Sequence, residues 1–253
     1  TYIIAEAGVN HNGKLSIAKK LITNAKKAGA DAIKFQIFDS SKLVTKYAKK
    51  APYQFKNTKN KSSQYKMLKG LELSKKNFIQ LLNFSKKKKI DFLASSFDEQ
   101  SLSFLVDELK QKIIKIPSGE ITNFLLHKKI DLKKSCVILS TGMSNIKEII
   151  DAINVIAKKD VYKIFNKKVK IINKKVYKTI NKKLFILHCT TDYPVKDEYV
   201  NLNCLDKLKN DLNLEIGYSD HTQDYLTSVL AVTKNARIIE KHFTLDKKLT
   251  GPD

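Results

Sequence analysis

Short β-branched runs alternate with amphipathic helical patterns along almost the whole chain, and this rhythm constrains the fold more than any single motif. The runs fall at 2–7, 32–38, 91–97, 113–117, 136–140, 184–189, 215–218 and 237–243, which makes eight candidate strands. Between them, residues 15–28 carry Ile17, Leu21, Ile22 and Ala25 at helical spacing, and residues 75–88 carry Phe78, Leu81, Leu82 and Ser85. Ser16 and Ser74 read as N-caps of these two helices, since a serine hydroxyl there accepts a bond from an otherwise unpaired helix amide. Strands alternating with helices pair in parallel, and eight such units predict a closed (β/α)8 TIM barrel filling residues 1–253 as one α/β domain. An open doubly wound sheet is the alternative, but no stretch resembles its GxGxxG turn.

Two stretches depart from the rhythm. Residues 158–183 form a lysine-rich insertion before the sixth strand, where Phe165, Val169, Ile172, Val176 and Ile180 lie on a helical stripe and predict an amphipathic extension away from the chemistry. The other is the end of the chain. The eighth strand is not followed by its helix, so a barrel truncated after that strand is expected, with an apolar seam left between its first and seventh helices and poor activity.

Composition narrows the function classes. No apolar run approaches the roughly 20 residues of a membrane span, and no basic-then-apolar signal opens the chain. A cytoplasmic protein with no membrane partner is expected. Cys136, Cys189 and Cys204 show no CxxC spacing and read as structural thiols. The net charge of +23 raises nucleic acid as a partner, yet Arg237 is the only arginine, and bidentate recognition of phosphates and bases favours the arginine fork. Lysines spread evenly over a solvated surface are the simpler reading. Such a surface still attracts an anionic substrate.

The C-terminal ends of the candidate strands carry the chemistry, as that rim does in barrel enzymes. They read Glu6 before "AGVNHNG", Lys34 and Gln36 in "IKFQIF", "LASSFDE", "KIPSGE", "LSTGMS", "LHCTTDYP", "GYSDHT" and "EKHF". Lys34 and Lys115 lie within strands, where a buried ammonium is costly unless an anion neutralises it. With Ser95, Ser118, Ser140 and Ser219 as hydroxyl donors, and Gly119 and Gly142 admitting close backbone approach, they suit a phosphate or carboxylate. His221 and His242 end neighbouring strands and can share one divalent ion; with no cysteine or acidic triad beside them, manganese or magnesium fits better than structural zinc. Glu240 shares a strand face with His242 and could orient a bound water or ligand. His11 is a third metal candidate or a substrate contact, and His127 reads as structural.

Taken together, "IIAEAGVNHNG", "GADAIKFQIF", "KIPSGEITN", "ILSTGMS", "LHCTTDYP", "GYSDHT" and "IEKHFTLDKKLTGPD" resemble the sialic acid synthase family, in that family's order and from residue 2 to 253 apart from the insertion. The resemblance implies a transferase that condenses phosphoenolpyruvate with an open-chain N-acetylmannosamine-type sugar and releases phosphate. It implies that Lys34, Ser95, Lys115, Ser118, Ser140 and Ser219 hold phosphoenolpyruvate and that His221 and His242 bind Mn2+ or Mg2+. It also implies Glu6 and Glu120 as catalytic carboxylates, with Glu120, Gln36, Thr191, Tyr193 and Asp253 around the sugar. A homodimer, in which a small C-terminal antifreeze-like domain absent here covers the partner's site, is the family's arrangement.

Some residues depart from the pattern. "ASSF" replaces "STPF", so Ser95 and Ser96 stand for threonine and proline, and Thr191 stands where some relatives have asparagine. With "YQFKNT" and "QYKMLKGLELS", these lean toward the legionaminic branch and its 2,4-diacetamido-6-deoxy sugar. Two competing classes remain: an aldol-type synthase joining phosphoenolpyruvate to a phosphorylated aldose, with Lys241 as the extra phosphate contact, and a basic RNA-binding protein.

Overall fold

The computed structural model describes residues 1–58, 61–249 and 251–252. Ten strands occur among them: β1 (Tyr2–Gly8), β2 (Ala32–Ile37), β3 (Asp91–Ser96), β4 (Ile113–Ile116), β5 (Cys136–Ser140), β6 (Tyr162–Phe165), β7 (Lys168–Ile171), β8 (Leu184–His188), β9 (Glu215–Asp220) and β10 (Ile238–His242). The helices are α1 (Leu15–Lys27), α2 (Ser40–Leu43), α3 (Pro52–Thr58), α4 (Gln64–Leu71), α5 (Lys75–Lys88), α6 (Glu99–Ser103), α7 (Phe124–Lys128), α8 (Ile146–Ala157), α9 (Lys174–Ile180), α10 (Asn203–Leu212) and α11 (Leu226–Thr233). Eight strands hydrogen-bond in the order β1-β10-β9-β8-β5-β4-β3-β2 and close, the (β/α)8 barrel that the rhythm predicts. Each of the eight predicted runs became a barrel strand, with ends that differ by at most two residues.

Contacts divide the chain into two compact units, Tyr2–Lys110 with Glu240–Asp253, and Thr1 with Gln111–Ile239. In the first, β1 pairs with β2 in parallel so that Glu6 stands opposite Lys34, and β2 pairs with β3 so that Gln36 stands opposite Ser95. The core there buries Ala18, Leu21, Ile22 and Ala25 of α1 with Phe35, Phe78 and Leu81. Burying each large apolar side chain contributes about 1.5–3 kcal/mol, which fixes the helix face. Ser74 caps α5 by accepting from the Asn77 amide at 3.2 Å. Ser16 is not a cap: α1 starts at Leu15 with Lys14 as its N-cap, two residues before Ser16, and with no side-chain cap bond. The reason is the preceding turn, closed by the Lys14 amide on the His11 carbonyl and made possible by Gly13 at φ +71°, which starts the helix before the serine.

In the second unit the β4–β5, β5–β8 and β8–β9 ladders are parallel, and α8 and α10 bury Ile149, Ile153, Ile156, Leu205 and Leu212. Asn145 and Glu148 cap α8 reciprocally. The predicted helical stripe through the insertion is corrected here. Phe165 and Val169 belong to an antiparallel hairpin of β6 and β7, and only Val176 and Ile180 lie on a helix, α9. Asn166 and Lys167 both take positive φ, 48° and 62°, the two-residue turn that joins twisted strands. The alternation Tyr162, Ile164 against Val169, Ile171 has period two, and it prevails over the coarser helical spacing once that turn is formed. On α11, Leu226, Val229, Leu230 and Val232 are exposed. Among the described residues no helix is long and apolar enough to cross a membrane.

Candidate functional site

In the first unit, the strand ends hold a buried charge cluster. Lys34 is 3% exposed, its Nζ lies 2.8 Å from Glu6 Oε2 and 3.7 Å from Glu240 Oε2, and Gln36 Nε2 donates to Glu6 Oε1 at 3.3 Å. The anion that the sequence required for Lys34 is thus supplied in this structure by protein carboxylates. Burial raises the Glu6 pKa above its ordinary value despite the opposing Lys34 charge, and the neighbouring Glu240 charge adds to the rise. The raised pKa biases this carboxyl toward its protonated form and makes its carboxylate a stronger base.

Two further groups in this unit are poised without partners. Ser95 Oγ and His11 Nε2 are buried and have no hydrogen-bond partner among the described residues. The Gly13 amide donates to His11 Nδ1 at 3.0 Å, so Nδ1 carries the lone pair and Nε2 the proton. That arrangement makes His11 a hydrogen-bond donor and suits a substrate contact rather than a metal ligand. Burial lowers its pKa to about 4, which keeps it neutral. His242 is half-buried at the end of β10, and the next residue, Phe243, donates its amide to the Glu6 carbonyl at 2.8 Å.

The second unit holds the remaining candidates. Lys115, Ser140, Ser219 and His221 are buried, Ser118, Glu120 and Tyr193 are half-buried, and Thr191 is exposed. Ser140 Oγ has no hydrogen-bond partner among the described residues. His221 Nδ1 lies 2.6 Å from the Thr190 carbonyl, an acceptor only, so Nδ1 carries the proton and Nε2 the lone pair, with Ser219 Oγ 3.3 Å away. The Tyr193 ring stacks on the imidazole at 4.3 Å. This is the form of histidine that ligates a metal through Nε2, and His221 therefore fits a divalent ion. Among the described residues no group of three or more His, Cys, Asp or Glu is arranged to hold a metal.

Glu120 accepts from Asn123 Nδ2 at 2.7 Å. A Cβ on Gly142 would meet Thr191 Oγ1 at 2.5 Å and Cys189 Sγ at 2.8 Å, so glycine is required by packing there; nothing crowds Gly119. His127 is fully buried, with a pKa lowered to about 4 by that burial, in keeping with a structural role. Asp253 lies outside the described residues. Sequence reasoning passed over Asp220, which is fully buried and accepts from five donors, and Thr190, whose carbonyl orients His221. The hydroxyls of Thr222, Thr227 and Ser228 downstream of Asp220 were the available signal for the first. A backbone carbonyl leaves no signal.

Comparison with known proteins gives consistent matches. The NeuB family model matches residues 21–253. The chain is 47% identical over its full length to N,N'-diacetyllegionaminic acid synthase of Campylobacter jejuni, of which it spans 70%. It is 44% identical to the enzyme of the same name from Legionella pneumophila, of which it spans 66%, just under two thirds. A crystal structure of N-acetylneuraminic acid synthetase from Leptospira borgpetersenii, in complex with citrate, superposes with a TM-score of 0.77 at 33% identity, over 99% of this chain and 75% of that one.

Proposed function

Since the chain belongs to the NeuB family, we propose that it is the barrel of a phosphoenolpyruvate-dependent synthase of nine-carbon acid sugars, acting in the cytoplasm as part of a homodimer. Its sugar is a 2,4-diacetamido-6-deoxy mannose-type aldose, a reading supported by the names of the two relatives at 47% and 44% identity. In the reaction C3 of phosphoenolpyruvate adds to the aldehyde carbon, water adds to C2, and phosphate leaves by C–O cleavage. The observation that carries this reading is a pair of buried strand-end hydroxyls, Ser95 and Ser140, left without partners among the described residues. Buried polar groups are almost always satisfied, so such donors point to a ligand rich in acceptor oxygens.

The roles follow from the chemistry of each side chain. Lys34 and Lys115 are buried ammonium groups that neutralise the phosphate and carboxylate, with Ser95, Ser118, Ser140 and Ser219 donating hydrogen bonds to their oxygens. Glu6 acts in its carboxylate form, accepting a proton of the water that adds at C2 or stabilising positive charge there, and its raised pKa makes it a stronger base. His11 donates from Nε2 to a substrate oxygen. Glu120, Gln36, Thr191, Tyr193 and Asp253 surround the sugar, with Glu120 as a second catalytic carboxylate. His221 and His242 would hold Mn2+ or Mg2+, which when bound polarises the aldehyde oxygen.

The test is phosphate release from phosphoenolpyruvate in the presence of Mn2+ and one of three acceptors. Release with the 2,4-diacetamido sugar above that with N-acetylmannosamine is expected. Release only with erythrose or arabinose phosphate would overturn the reading in favour of an aldol-type synthase.

A further inference from the structure

The Asp220 carboxylate lies at the end of β9 with no exposed surface, and its two oxygens have divided tasks. Oδ1 accepts from the Thr222 amide at 2.8 Å, from Thr222 Oγ1 at 2.7 Å and, at 3.4 Å, from the Tyr218 hydroxyl. Oδ2 accepts from Thr227 Oγ1 at 3.0 Å and from Ser228 Oγ, both in the first turn of α11. The side chain therefore bridges over the residue between positions 220 and 222, which is His221, as an Asx turn does, and ties that turn to the following helix.

His221 is held from its other side as well. Its carbonyl accepts from the Val195 amide at 3.0 Å, its Nδ1 donates to the Thr190 carbonyl, and Tyr193 covers one ring face. The backbone contacts set where the ring sits, and so whether Nδ1 reaches the Thr190 carbonyl. Asp220 ties the backbone contacts together, because its two oxygens reach Thr222 beyond His221 and Thr227 and Ser228 on α11. A turn by itself needs only one amide bond to a side-chain oxygen. Saturating both carboxylate oxygens inside the protein fixes the direction of the turn to within a fraction of an ångström.

We infer that Asp220 is a positioning residue for His221, with the hydroxyls of Thr222, Thr227 and Ser228 as its fixed points, so that Nε2 is held as a lone-pair donor toward a divalent cation. This rests on the reading of His221 as a metal ligand. The role is distinct from that of any group touching substrate. It is a matter of geometry: an imidazole rotated by a few tens of degrees keeps its basicity and loses the direction of its lone pair.

The test compares the wild type with Asp220→Asn and with Thr227→Val, which removes one fixed point and leaves the carboxylate. Two readouts are used on folded protein: the His221 tautomer, from imidazole nitrogen shifts without metal, and Mn2+ affinity, from the free-ion resonance signal during titration. The wild type is expected to show a single Nδ1–H tautomer. Asp220→Asn is expected to show mixed tautomers and Mn2+ binding weakened by about ten- to a hundredfold, with Thr227→Val between the two. A folded variant with the wild-type tautomer would overturn the inference. Failure of the wild type to bind Mn2+, with the tautomer shifts as expected, would instead overturn the metal reading and leave the positioning role intact. If Asp220→Asn does not fold, an unchanged tautomer in Thr227→Val overturns the inference by itself.

Discussion

Glu6 and Asp220 are both buried carboxylates near the end of a barrel strand, and they are treated in opposite ways. Asp220 accepts from five donors, four of them hydroxyls, and its contacts come from residues within eight positions of it. Glu6 meets Lys34 at 2.8 Å and Gln36 at 3.3 Å, shares that lysine with Glu240, and is left biased toward the protonated form by burial. The contrast separates a carboxylate saturated by neighbouring donors from one that the proposed reaction uses for chemistry. Saturation holds a charge still, whereas incomplete compensation keeps a proton exchangeable.

The contrast can be broken by exchange of charge for amide. Glu6→Gln is expected to lower kcat about a thousandfold with KM for phosphoenolpyruvate little changed, since a general acid–base group contributes about 10²–10⁴. Steady-state phosphate release checks it, and unchanged turnover would remove Glu6 from the mechanism. The same variant should be more stable than wild type at pH 7. Glu6 has a raised pKa, so its contribution to stability is full below its ordinary value of 4.5 and is lost as pH rises through the folded value; the amide avoids that loss. The gain should vanish below pH 4.5.

Asp220→Ala should behave differently, losing about 3 kcal/mol at pH 7 because its donors are left in a dry site. Urea midpoints of the two variants should move in opposite directions. If both rise, the distinction between them fails.

The buried histidines sharpen the comparison, since each unit carries one whose pKa is lowered to about 4 from 6.5, His11 in one and His127 in the other. Stability from each is present above pH 6.5 and is lost as pH falls toward 4, by up to about 3 kcal/mol. His127→Leu should flatten the stability curve between those limits, measured by urea unfolding at a series of pH values, and a curve as steep as wild type would exclude His127 as the cause. The smallest effect is expected at Ser140, where Ala should raise KM for phosphoenolpyruvate about tenfold and leave stability unchanged, because one hydrogen bond to an anion contributes about 1.5 kcal/mol. A KM equal to that of wild type would remove Ser140 from the anion site.

The burial of the candidate residues was legible in the chain itself. Lys34, Ser95, Lys115, Ser140, Ser219 and Glu6 were named from their place at strand ends, and each is buried. Asp220 was not, because an aspartate after a strand reads the same whether it faces solvent or five donors. The insertion was misread for a related reason. Apolar residues three to four positions apart satisfy a helical template, and only the turn at Asn166 and Lys167 decides that the pattern is two strands.

The sequence alone determined the eightfold rhythm, the barrel and the residue types at each strand end, because periodicity is a relation between neighbours along the chain. Only the tertiary structure decided that Lys34 meets Glu6, that Gly13 sets the His11 tautomer, and that Thr190 and Asp220 hold His221. Desolvation and hydrogen-bond direction depend on atoms brought together through space, and the groups against Lys34 and His221, such as Glu6, Glu240 and Thr190, lie far from them along the chain.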